Sequence, residues 1–187
     1  MIHPAISALI ADTNAETQGL VTETLQRVGA PLLTRMAERG IRICTLAEGE
    51  PFSARSPWVG EFAPQLDTWP HPPAGLFVVA EATVYLRVVS SMTTAHELGH
   101  AMDFALGDNG YMSNHHPGIR RAFAQATRWL TPYAATRIDE YVAEAFRAYI
   151  ECNDLASPWP RVTRQRLADI DPAMYEIIAH IFEEGTV

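Results

Sequence analysis

Cysteine is scarce in this chain of 187 residues, where Cys44 and Cys152 are the only two. Neither has a second Cys or a His at ligand spacing, which excludes a disulfide framework and a thiolate metal cage. Both read as reduced thiols packed inside. Positive charge is also short: 14 basic residues face 22 acidic ones, for a net charge of −8. A nucleic-acid binder needs a basic surface to neutralise phosphates, so that class is excluded. Long apolar runs are missing too, and no stretch nears the ~20 residues that a membrane-spanning helix takes. No Lys or Arg precedes the short apolar stretch near the N-terminus, which is not the layout of a Sec signal peptide. Residence in the cytoplasm, or export by a route without such a signal, is therefore expected.

What is present is a globular composition, 48% hydrophobic and 19% charged. The length suits one domain over residues 1–187, expected to act as a monomer. Residues 1–47 read as a helical part with one strand. Leu20, Val21, Thr24, Leu25 and Val28 form a helical stripe, and a second helix from Pro31 ends at Gly40. Ile41 to Leu46 alternates apolar with polar as a half-buried strand does. Residues 48–74 hold six of the 13 prolines together with Trp58 and Trp69. They read as a long irregular loop, either functional or a surface wrap pinned by the two tryptophans. Residues 75–187 form the third part, the catalytic core. The β-branched and aromatic runs at 76–80 and 83–88 predict strands. Helices follow near 92–106, 117–130, 137–152, 161–169 and 172–184. The fold class is α+β: a small mixed sheet, a helix carrying the site, and a mainly helical C-terminal part.

The motif that carries chemistry is His96-Glu97-Leu98-Gly99-His100. Residues four apart on a helix share a face, with Cβ atoms about 5–6 Å apart, so two imidazoles converge on one cation. Glu97 is rotated about 100° from His96, away from the metal and toward the water it activates. Gly99 keeps the opposite side of the helix thin, so another element packs close there. Zn2+ with three protein ligands and one open position is the cofactor this pattern calls for.

The third ligand distinguishes the subfamilies. A metzincin requires a Gly at position 103 and a His at position 106, where this chain has Asp103 and Leu106. His115 and His116 lie near, but in a loop, and a carboxylate on a later helix is the stronger candidate. Residues 139–150 supply one, since Glu140 and Glu144 lie on one face beside the apolar stripe of Val142, Ala145, Phe146 and Tyr149. Glu140 is then the third ligand. Glu144, one turn on, accepts a hydrogen bond from the other nitrogen of a ligand histidine. Asp103 shares the face of His96 and His100, and either orients a ligand histidine or sits idle on the far turn.

Taken together, His96-Glu97-Leu98-Gly99-His100-Ala101-Met102-Asp103, Tyr133 and Glu140-Tyr141-Val142-Ala143-Glu144-Ala145-Phe146-Arg147 resemble the catalytic domain of anthrax lethal factor and the related Pro-Pro endopeptidases. These are gluzincin-type zinc metalloproteases. In that family the second motif reads Glu-Phe-Phe-Ala-Glu-Ala-Phe, with its first Glu on the zinc, and a Tyr seven residues earlier stabilises the transition state. The resemblance implies those roles for Glu140 and Tyr133. It covers roughly residues 75–152, with Tyr-Val in place of Phe-Phe after Glu140, and the first seventy residues match nothing in the family. It also implies a zincin-like fold, an effector or toxin setting, and a sheet edge along which an extended protein or peptide substrate pairs; the strand at 83–88 is the expected edge. The expected reaction is hydrolysis of a peptide bond, with Glu97 as general base. A zinc-stabilised, non-catalytic protein-binding module is the alternative.

Overall fold

The β-branched and aromatic runs do form strands, and pairing gathers them into one sheet. The computed structural model describes residues 2–187. In it β1 (Ile10–Asp12), β2 (Arg42–Thr45), β3 (Gly75–Val78) and β4 (Thr83–Leu86) lie in the order β1-β2-β4-β3. The β1–β2 and β2–β4 pairs are parallel, whereas β3 and β4 form an antiparallel hairpin pairing Gly75 with Leu86 and Val78 with Thr83. The sheet is therefore mixed, as expected. Its free edge is not. The hairpin folds β3 back outside β4, and β2 takes the other side of β4. The expectation for 83–88 is thus corrected: β4 is central and β3 is the edge.

Helices flank this sheet on both faces. Before it come α1 (Pro4–Leu9), α2 (Ala15–Leu25) and α3 (Ala30–Glu38). Between β2 and β3 lie α4 (Phe52–Arg55) and α5 (Pro57–Phe62), and after the sheet comes α6 (Ser91–Ala105). The C-terminal part adds α7 (Pro117–Gln125), α8 (Ile138–Tyr149), α9 (Arg164–Ile170) and α10 (Pro172–Glu184). α6 packs on β3 and β4 and against α2, α3 and α8, so it runs through the middle of the core.

Strand alternation explains why both sheet faces are apolar. Ile43, Phe77, Val84 and Leu86 join the main helical core, while Val78 and Tyr85 turn to the other face and pack with Leu46, Phe52 and Val59. That second layer is the proline-rich segment. Its reading as an irregular loop is corrected, because it holds α4, α5 and a 3₁₀ turn over Pro64–Thr68. Pro57 and Pro64 occupy first-turn positions, where a missing N–H costs nothing. Carboxylates satisfy the remaining donors: Asp67 accepts from the Phe52 and Ser53 amides at 2.6 and 2.9 Å, and Glu81 from the Trp58 amide at 2.8 Å. Nor do the tryptophans pin it. Phe52 and Val59 are fully buried, whereas Trp58 and Trp69 are 40% and 50% exposed.

Two smaller differences have physical causes. The N-terminal part holds two strands, since three-residue β1 is too short to alternate legibly and exists through its pairing with β2. α7 stops at Gln125 rather than near 130, and Trp129 instead stacks on Phe123 and Tyr141. Among the described residues no helix is long and apolar enough to cross a membrane.

Candidate active site

The site begins with a helix start. The Ser90 hydroxyl accepts from the Thr93 amide at 3.0 Å, and α6 then carries His96, Glu97 and, one turn on, His100 into the interior. α8 crosses α6 at Gly99. A Cβ there would stand 2.6 Å from the Ala143 Cα, so only glycine lets the two helices come this near. The thin side anticipated in the sequence thus receives the acidic helix itself.

That approach delivers the carboxylates. Glu140 Oε2 lies 3.1 Å from His96 Nε2 and 3.2 Å from His100 Nε2. Behind them, His96 Nδ1 donates to Glu144 Oε1 at 2.9 Å, which leaves Nε2 as the nitrogen facing Glu140. Glu144 is in turn gripped by Arg147, whose Nε and Nη2 donate to its two oxygens at 3.1 and 2.8 Å. Arg147 is 2% exposed, so the pair is almost wholly buried.

These donors suit a tetrahedral metal. With ligand bonds of about 2.0–2.1 Å, neighbouring donors around zinc stand about 3.3 Å apart, close to the two separations observed. Donor atoms of His96, His100 and Glu140 all lie within 4.8 Å of one another, and the buried Glu140 Oε2 has no hydrogen-bond partner among the described residues. Two imidazoles and one carboxylate are a borderline-soft set that zinc accepts.

Local fields bias the protons. Burial pushes the Glu140 carboxyl up, but the two imidazoles outweigh it and hold the group well below the ordinary carboxylate range. Glu144 is likewise brought down to about 2, with burial overcome by His96 and Arg147. Glu97 goes the other way. Its burial raises it above the usual value against the pull of both histidines, which favours proton uptake. Burial, then the Glu140 charge, holds the Tyr133 phenol well above its usual range, so it is a neutral donor at pH 7. Its ring centroid is 5.5 Å from that of His96, and the residue is 40% exposed on the cleft.

Not every anticipated residue joins the cluster. Asp103 orients no histidine: its two oxygens accept from the Ser113 amide and hydroxyl at 2.7 and 2.6 Å. Facing the loop after α6, it anchors that loop, and His100 Nδ1 has no hydrogen-bond partner among the described residues. His116 caps α7, accepting from the Ile119 amide at 3.2 Å. His115 is exposed, and neither is in the metal-donor group.

Three contributors escaped sequence reasoning. Gly75 opens the edge strand directly over Glu97, and a Cβ there would meet Glu97 Cγ at 2.6 Å and Oε1 at 2.9 Å. Tyr111 flanks His100, with ring centroids 6.0 Å apart. Arg147 had a legible signal, since it lies one helical turn beyond Glu144. A cavity of about 720 Å³ runs along β3 past His96, Glu97, His100, Tyr111 and Tyr133 to Trp58.

Edge strand, metal-type helix and crossing acidic helix together define an α+β fold of the zincin-like class. Among solved structures, the chain is similar to the Pro-Pro endopeptidase PPEP-2 from Paenibacillus alvei, with a TM-score of 0.67 and 18% identity. The match covers 95% of this chain and 100% of that one, so the shared fold extends well beyond the two motifs. No family model matches the sequence, and no curated protein matches it either.

Proposed function

We propose that this protein is a zinc-dependent endopeptidase of the gluzincin type, cutting a peptide bond within an extended protein segment. The observation that carries the reading is the approach of Glu140 Oε2 to both Nε2 atoms at 3.1 and 3.2 Å, from a helix 40 residues downstream. His96, His100 and Glu140 would hold the zinc, which when bound would supply Lewis acidity and a water of near-neutral pKa.

The chain's own groups supply the rest. Glu97 takes the proton from the attacking water and delivers it to the leaving amine. Its raised pKa suits both transfers. The Tyr133 hydroxyl donates to the developing oxyanion, a contribution of the kind worth about 10²–10³ in rate. Glu144 and Arg147 keep His96 in one orientation and tautomer. The outer edge of β3 offers unpaired backbone groups to an extended substrate, and the likeness to a Pro-Pro endopeptidase supports a peptide as the ligand of that edge.

Glu97→Gln tests the assignment. It abolishes cleavage of a peptide library while zinc content and Tm stay at wild-type values. A wild-type protein that cuts nothing, yet unfolds on chelation, is instead a zinc-stabilised binding module.

A further inference from the structure

Tyr133 is the middle of a stack that leads out of the site. Its ring centroid is 5.5 Å from His96 on one side and 5.9 Å from Trp159 on the other. Trp159 comes from the connection between α8 and α9, flanked by Pro158 and Pro160, and is 45% exposed. The connection is tied at its base. Asn153 accepts from the Val162 amide at 2.9 Å and donates to its carbonyl at 2.8 Å, while Arg147 Nη1 donates to the Cys152 carbonyl at 3.3 Å. The Trp159 amide donates to the Ser157 hydroxyl at 3.2 Å. The segment is thus fastened by the same arginine that grips Glu144.

Beside this indole lies a second cavity, of about 190 Å³, which shares Pro73, Gly75, His96, Glu97 and Tyr133 with the larger cleft. Pro73, Met92, Tyr133 and Trp159 give it apolar walls. Apart from His96 and Glu97 of the site itself, its charged lining is Glu144 and Arg147, which already pair with each other. A volume this far below the 300–1,000 Å³ of whole-ligand pockets suits one side chain. A half-exposed Trp beside an apolar-walled recess is the kind of anchor that dominates recognition.

We propose that Trp159, with Met92 and Pro73, forms a subsite that takes one uncharged apolar side chain of the substrate. Trp159 and Met92 line this recess and not the larger cleft, whereas Trp58 and Trp69 line the larger cleft and not this recess. The inference rests on the peptidase reading and adds a specificity determinant to it. Trp159 selects; it takes no part in proton transfer or metal binding.

The test is positional profiling of a random peptide library by mass spectrometry, using zinc-loaded wild type, Trp159→Ala, Trp159→Phe and Trp58→Ala. Wild type should show an apolar preference at one position adjoining the cut. Trp159→Ala should lose it, with kcat/KM for the preferred peptides falling about 10- to 200-fold and zinc content unchanged. Trp159→Phe should keep the preference, and Trp58→Ala should leave the preference at that position in place. An unchanged Trp159→Ala profile overturns the subsite and leaves the peptidase reading intact. If wild type cuts nothing, the peptidase reading fails, and retention of the same library on immobilised protein is decisive. Peptides held by wild type but not by Trp159→Ala support the pocket; equal retention, or none, overturns it.

Discussion

The Cα of Ala143 lies 2.6 Å from where a Cβ on residue 99 would stand. This contact holds α6 against α8, and it therefore sets the distance between the imidazoles on one helix and the carboxylates on the other. Gly99→Ala adds helix propensity of about 1 kcal/mol but forces two backbones apart, at a typical overpacking cost of about 1–3 kcal/mol. Separation of the ligand helices should also lower zinc affinity at least tenfold. Urea midpoints and a competitive zinc titration read the two effects, and an unchanged affinity would show that the helices tolerate the methyl group.

Glu140 and Glu144 should respond differently to truncation. Glu140→Ala should lose the metal outright. Glu144→Ala should weaken zinc binding about 10- to 100-fold, and it also strands the Arg147 guanidinium in the core, at a cost of about 3–5 kcal/mol. Adding Arg147→Met should restore much of the stability without restoring zinc affinity. Equal metal loss from the two single variants would mean that the ligand is misassigned.

Gly75→Ala tests the seat of the base. The new methyl group would press on Glu97 Cγ and Oε1, at 2.6 and 2.9 Å, and turn the carboxylate aside. A displacement near 1 Å costs about 10² in rate. kcat should fall by that order while zinc content and stability hold. Full activity would remove Glu97's position from the account.

Asp103 makes stability depend on pH. Burial lifts its carboxyl to about 6, against the two hydrogen bonds from Ser113. The folded chain therefore keeps a proton that the unfolded chain releases near 4. Asp103's contribution accordingly falls as pH rises from about 4 to about 6, and is flat above that. Asp103→Asn should remove this slope. The stability difference between wild type and variant, from urea unfolding in chelator, should change by about 3 kcal/mol across that window. A constant difference would refute the late deprotonation.

The site was legible in proportion to how local its geometry is. His96, Glu97 and His100 follow from helical periodicity alone, and Glu140 and Glu144 from the same rule applied to a second helix. Asp103 shows the limit of that rule: sharing a face with the histidines did not decide its partner, because Ser113 on the following loop competes for both oxygens. The proline-rich segment was misread for a similar reason. Proline excludes a helix interior but suits its first turn, and whether it begins or breaks a helix depends on capping groups such as Asp67, 15 residues from Phe52 in the chain.

Residue order was enough for the α+β class, the metal-type helix and the acidic pair, because each arises from chemistry repeated within a few residues. Folding in three dimensions was needed to make β3 rather than β4 the open edge, to set Gly75 over Glu97, and to bring Trp159 against Tyr133. Those relations join segments far apart in the chain, and packing of one element against another, rather than any local preference, selects them.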